Sequence, residues 1–195
     1  MVYRVFMLFM TTATLLRRFA VTSAAVAVTA VGVAAPATAA PDRLSAAALS
    51  FPTSALPGWS ISPAEAGGVG LARAPFGHSG TWVSQIRIGD FGRSGLDVKG
   101  LARAFAVEIT NGGGYTGHSA RIEGLQVTDA SVSGIRAARA TANVILQNAP
   151  TRGERLRITV VDTNPETYFV SQVPFEAADR QAQAAAAESG LVATR

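Results

Sequence analysis

The chain has 195 residues, no cysteine, 48% hydrophobic residues and 15% charged residues. That composition excludes a disulfide framework, a thiol nucleophile, a thiolate zinc site and a cysteine-linked lipid anchor, and it argues against wholesale disorder. The formal net charge of +4 does not describe a nucleic-acid-binding surface. Arg4, Arg17 and Arg18 lie in the first 39 residues, which contain no acid. The remainder is therefore close to neutral, without the clustered excess charge that a phosphate backbone requires.

Residues 1–39 read as a cleavable secretory signal. Arg17 and Arg18 form a basic start, Ala20 to Ala35 an uncharged apolar stretch, and Ala37 and Ala39 the small residues of a cleavage site. The expected cut lies between Ala39 and Ala40. A cut one residue later would place Pro41 directly after the scissile bond. A membrane anchor is the competing reading of the apolar stretch, but Gly32, Pro36 and the Ala/Ser/Thr content disfavour it. Arg17-Arg18 leaves export by a general or a twin-arginine route open. Met10 opens a more ordinary signal than Met1, so the true start is open as well. With no cysteine to carry lipid, no stable membrane anchor is expected after cleavage.

Residues 40–195 are expected to form one domain, with 40–50 as a short leader into it. Leu49-Ser50-Phe51 and Trp59-Ser60-Ile61 read as short strands flanking a Leu56-Pro57-Gly58 turn. Val69 to Ala74 is a further strand, and Thr81 to Ile88 is the clearest early one. There Trp82, Ser84, Ile86 and Ile88 share one face, with Val83, Gln85 and Arg87 on the other. After the glycine-rich stretch 89–95, Asp97 is placed to cap a helix. Val98, Leu101, Ala102, Phe105 and Ile109 recur along it at helical spacing, with Lys99, Arg103 and Glu108 off the stripe. Asn111-Gly112-Gly113-Gly114 should end it through a left-handed glycine.

Beyond Tyr115 the pattern is antiparallel β. Ala120 to Thr128 and Ile135 to Gln147 are joined near Ser133-Gly134. Arg155 to Asp162 and Thr167 to Phe175 form a hairpin about residues 163–166, in which Leu156, Ile158 and Val160 alternate with Arg157, Thr159 and Val161. An alanine-rich helix over about 176–189 follows, stopped by Gly190. Strands, helix, strands, helix give the α+β class.

This order resembles the secreted LpqN/LpqT-type proteins of actinobacteria, which share the PsbP-like fold. The similarity spans about residues 49–193. It is carried by Pro57-Gly58-Trp59 after a short strand, the helix from Asp97 before a glycine run, and Gly134 ahead of a strand containing Ala137 and Ala138. The closing hairpin, Tyr168, Pro174, Asp179 and the last helix complete it. The resemblance implies an antiparallel β-sheet sandwiched by helices. It also implies a non-enzymatic protein of the cell envelope, acting by contact with a protein or lipid-like partner.

Candidate chemistry is sparse. Gly77-His78-Ser79 and Gly117-His118-Ser119 repeat a triplet that suggests a serine hydrolase. Neighbouring His and Ser on an extended chain point to opposite sides, however, and neither triplet completes Gly-x-Ser-x-Gly. No catalytic residue, metal site or cofactor is therefore expected. His78 and His118 lack short ligand spacing, and Pro165 spoils a calcium reading of Asp162, Asn164 and Glu166. Arg136 and Arg139, three apart on a strand, should be separate surface charges. The best binding feature is aromatic. Trp59, Phe76, Trp82, Phe91 and Tyr115 either line an apolar groove at one end of the sheet or fill the core. A carrier with an apolar pocket between helix 97–110 and the sheet is the second reading.

Overall fold

A computed structural model describes residues 41–65, 68–77, 82–92, 94–112 and 115–194. The signal segment 1–39 with its cleavage site, and His78 and Ser79, lie outside the described residues. The described elements run β1 (Arg43–Ala46), β2 (Leu49–Pro52), a 3-10 turn (Thr53–Ala55), β3 (Ser60–Ser62), β4 (Gly70–Phe76) and β5 (Trp82–Asp90). They continue with α1 (Val98–Asn111), β6 (Ser119–Val132), β7 (Ile135–Gln147), β8 (Gly153–Val161), β9 (Thr167–Pro174), α2 (Ala178–Ser189) and β10 (Val192–Ala193).

Seven strands form one antiparallel sheet in the order β3-β4-β5-β9-β8-β7-β6. Period-2 alternation decides its two faces, because successive side chains of a strand point opposite ways. Ala138, Ala140, Leu156, Ile158, Val160 and Val170 form one core with Val98, Leu101, Ala102, Ala106 and Ile109 of α1. Their immediate neighbours Ala137, Val161, Phe169 and Val173 form the other, with Ala184 and Ala187 of α2. The two helices thus cover opposite faces, giving an α+β sandwich with the antiparallel sheet in the middle.

Local signals account for the elements. The Asp97 carboxylate accepts from the Gly100 N–H at 2.8 Å, satisfying one of the unpaired donors that open α1. Ser133 and Gly134 both take positive φ (52° and 76°), as a two-residue hairpin turn between β6 and β7 demands. Every residue of β9 is buried, consistent with its central place in the sheet and with Tyr168-Phe169-Val170 lacking polar alternation.

The structure differs from the sequence pattern in several places. Residues 43–46 are not a leader. They form β1, which pairs with β2 and buries Leu44 and Ala46. The last residues return as β10 against β2, completing a three-stranded sheet β1-β2-β10 that joins α2 on one face. Gly112 closes α1 in an extended conformation, with φ −82° and ψ 172°, and the other glycines of that run, Gly113 and Gly114, lie outside the described residues. Trp82 leaves the face of Ser84, Ile86 and Ile88 and packs against the α1-side core. It is the first residue of β5, where the strand no longer pairs with β9. Strand β6 also runs longer than the pattern suggested, through a bulge between Glu123 and Gln126.

Gly153 opens β8 where the chain is crowded on both sides. A Cβ there would meet the Val144 carbonyl oxygen and, at 2.6 Å, the Phe175 ring. A backbone oxygen cannot swing aside as a side chain can. Gly153→Ala is therefore expected to lower stability by about 2–3 kcal/mol, measured by urea unfolding against the parent chain.

Candidate functional site

The five aromatic residues do not gather at one place. Trp59 and Phe76 belong to the α2-side core, whereas Trp82, Phe91 and Tyr115 pack on the α1 side. Trp59 is a docking residue for α2. Its indole N–H donates to Gln183 Oε1 at 2.6 Å, and the Arg180 guanidinium lies 5.7 Å from its ring centroid. Phe91 closes a cluster with Phe105 and Tyr168, at centroid separations of 4.9–5.1 Å.

Trp82 and Tyr115 instead serve a buried polar chain. The Trp82 indole donates to Glu154 Oε1 at 2.7 Å and the Tyr115 hydroxyl to Glu154 Oε2 at 2.6 Å. Gln172 donates to the Tyr115 hydroxyl at 2.8 Å, and its own carbonyl accepts from Gln85 and Arg87, each at 3.0 Å. Burial pushes the Glu154 carboxyl above its ordinary range, against the lowering effect of its three side-chain partners. Burial, then the adjacent Glu154, pushes Tyr115 up, and burial holds Arg87 below the usual arginine value. Every member of the chain has a hydrogen-bond partner, as buried polar groups require, and the one buried atom left over is Arg87 Nε. His118 meets the Trp82 edge at 5.3 Å, but its buried Nδ1 has no partner, so Ser119 does not donate to it. Among the described residues no three His, Asp or Glu side chains gather as a metal site.

The accessible recess lies on the other face. Helix α2 presents alanines to the sheet, with Ala184 and Ala187 fully buried. Small side chains leave space between helix and strands. A cleft of about 340 Å³ opens there, lined by Arg155, Arg157, Ser171, Val173, Gln181 and alanines 178, 182 and 184. Its volume falls at the lower end of small-molecule sites, roughly 300–1,000 Å³. A more open cleft of about 490 Å³ shares Arg155 and Gln181 with it and adds Asn143, Ile145, Arg152 and Phe175. The α1 side is instead filled by the apolar residues of that helix, so the pocket expected between helix 97–110 and the sheet gives way to clefts under the other helix.

The charges around these clefts are unequal. Glu188, only 1% exposed, accepts from Arg139 Nε and Arg157 Nε, both at 2.6 Å, and from Thr159 Oγ1 at 2.7 Å. Arg139 is therefore not a free surface charge, while Arg136, on the opposite face, pairs with Asp162. Arg152 pairs with Glu176 at 3.0 Å. Partial burial alone would raise Glu176, but hydrogen bonds from Thr151 and Arg152 outweigh it and hold the carboxyl at about 2. Among the described residues the Arg155 side chain has no ion-pair or hydrogen-bond partner. The Ser171 hydroxyl, at the cleft floor, also has none. Neither residue stood out in the sequence. The available signal was the odd-numbered side of β8, where Arg155 and Arg157 face away from the core formed by Leu156 and Ile158.

Two outcomes test these arrangements. Replacing Glu188 with alanine removes the only acid shared by Arg139 and Arg157. Breaking a buried pair costs about 3–5 kcal/mol, and both arginines are partly exposed (41% and 30%), so a loss of about 2–4 kcal/mol is expected in chemical unfolding. Glu154 tests the other face through pH. Its folded-state value lies above its ordinary 4.5, so its contribution favours folding while it is protonated and declines as pH rises from 4.5 through the folded value. Glu154→Gln, which keeps an acceptor for Trp82, is expected to remove that decline from the melting temperature measured between pH 4.5 and 8. Glu176 acts in the opposite sense and lower down, losing its contribution as pH falls from 4.5 toward 2.

Neither a protein-family model nor a curated protein matches the sequence. Among solved structures the chain is similar to cyanobacterial PsbP (CyanoP) from Synechocystis sp. PCC 6803, determined in solution. The identity is 11% and the TM-score 0.48, covering 75% of this chain and 87% of that one.

Proposed function

We propose that this chain is an exported, non-enzymatic binding protein of the bacterial cell envelope, of the LpqN/LpqT type with a PsbP-like fold. It acts by contact with a protein or lipid-like partner. The observation that carries this reading is the pair of neighbouring clefts beside α2 that share Arg155 and Gln181, where a cation and a hydroxyl stand without partners. Groups of that kind bind; they do not activate a nucleophile. Among the described residues, the adjacent His118 and Ser119 lack the hydrogen bond to His118 Nδ1 that would make the serine reactive.

The volume of the 340 Å³ cleft favours a carrier of small ligands as the second reading. The basic, apolar and small-residue order of residues 1–39 supports the export part of the reading.

Native and intact-mass spectrometry of the protein from its own host test the proposal together. The expected product begins at Ala40, stays unlabelled by a fluorophosphonate probe, and carries a non-covalent adduct from envelope extract. A product retaining Met1 would remove the export reading. Labelling abolished by Ser119→Ala would replace the binding protein with a hydrolase.

A further inference from the structure

We infer that the neighbouring clefts beside α2, which share Arg155 and Gln181, hold an amphiphilic anion, an oxyacid head on an apolar body, with the head at Arg155. The inference rests on the binding-protein reading and deepens it by naming the ligand chemistry.

The charge distribution places the head. Four arginines border this region (Arg139, Arg152, Arg155 and Arg157) and two carboxylates answer them. Glu188 takes Arg139 and Arg157, and Glu176 takes Arg152. Arg155 is left uncompensated, and it forms part of the wall common to both clefts. Its planar guanidinium offers paired donors to a carboxylate or phosphate. Ser171 adds a second, independent indication. It is 1% exposed, lines the narrower cleft, and its hydroxyl lacks any partner. A buried hydroxyl without a partner is unfavourable, and an oxyanion in the cleft supplies the missing acceptor.

The remaining lining sets the body of the ligand. Ala178 and Ala182 are the exposed apolar surface of the narrow cleft, with Val173 and Ala184 buried behind them. Ile145 and Phe175 extend it as an apolar shelf in the open cleft. A small inorganic anion would satisfy Arg155 and leave these surfaces wet. A neutral hydrocarbon would cover them and leave Arg155 and Ser171 unanswered. An amphiphilic anion satisfies both parts.

Titration calorimetry below micelle concentrations tests this with four probes: dodecanoate, dodecyl phosphate, dodecyltrimethylammonium and inorganic phosphate. Dodecanoate or dodecyl phosphate should bind saturably at one per chain, the tighter of the two identifying the head as carboxylate or phosphate. Dodecyltrimethylammonium and inorganic phosphate should bind at least tenfold more weakly. Arg155→Gln, at an exposed position that does not threaten folding, should weaken the anionic amphiphiles at least tenfold, and Ser171→Ala at least threefold. Arg136→Gln, on the far face, should leave them unchanged. Equal binding of the cationic amphiphile, or full binding by Arg155→Gln, would overturn the assignment while leaving a binding protein standing. Failure of both anionic amphiphiles to bind would overturn it outright, and the adduct experiment on the native protein would then decide the broader reading by itself.

Discussion

One carboxylate decides how the second helix sits on the sheet. Glu188 is in the last turn of α2, and its two oxygens meet Arg139 of β7, Arg157 of β8 and the Thr159 hydroxyl. Taking a carboxylate out of water costs several kcal/mol, which a single partner seldom offsets. Two guanidinium groups and a hydroxyl, all at 2.6–2.7 Å, are the kind of coordination that does. The bond also fixes a distance. Long arginine side chains stand between helix and sheet at that end, so α2 cannot settle onto the strands along its whole length. Nearer its start Trp59 holds it through Gln183, and Arg180 donates to the Pro57 carbonyl oxygen. A helix held at these points and faced with alanine leaves a recess toward its start, beside Ala178, Gln181 and Ala182.

The opposite helix shows what happens without such props. Helix α1 brings Val98, Leu101, Ile109 and the half-buried Phe105 against β6, β7 and β8. Side chains of that size interdigitate with the strand residues and reach ordinary interior density. The sheet is therefore sealed on one side and recessed on the other. The difference comes from side-chain volume at facing positions, since both helices are of similar length (14 and 12 residues).

Much of this was legible in the sequence, and the limits have physical causes. Alternation in β5, β7 and β8, the Asp97 cap and the Ser133-Gly134 turn are local signals, and the elements they announce are present. The pairing of β10 with β2 joins Ala193 to Leu49 across most of the domain, and no local pattern encodes it. The five aromatic residues were visible as a class, but hydrophobicity does not say which face of the sheet receives each. Arg155 and Arg157 were visible as the polar side of β8. That Glu188 would claim Arg157 and leave Arg155 free depends on a helix some thirty positions further along the chain.

Strand β8 binds the two faces into one problem. Its even-numbered residues run Glu154, Leu156, Ile158, Val160 on the α1 side, and its odd-numbered residues run Arg155, Arg157, Thr159, Val161 on the α2 side. A slip of one residue against β7 or β9 would exchange every member of these sets. It would put Arg155 or Gly153 where Glu154 now receives Trp82 and Tyr115, and would bring Leu156 or Ile158 opposite Glu188. Each exchange strands a buried charge. An apolar sheet with the same alternation would tolerate such a slip far better, because one aliphatic side chain replaces another at modest cost. The buried acids thus contribute less as sources of net stability than as penalties on the wrong register. The register they enforce is the one that leaves Arg155 at the cleft wall and Ser171 at its floor.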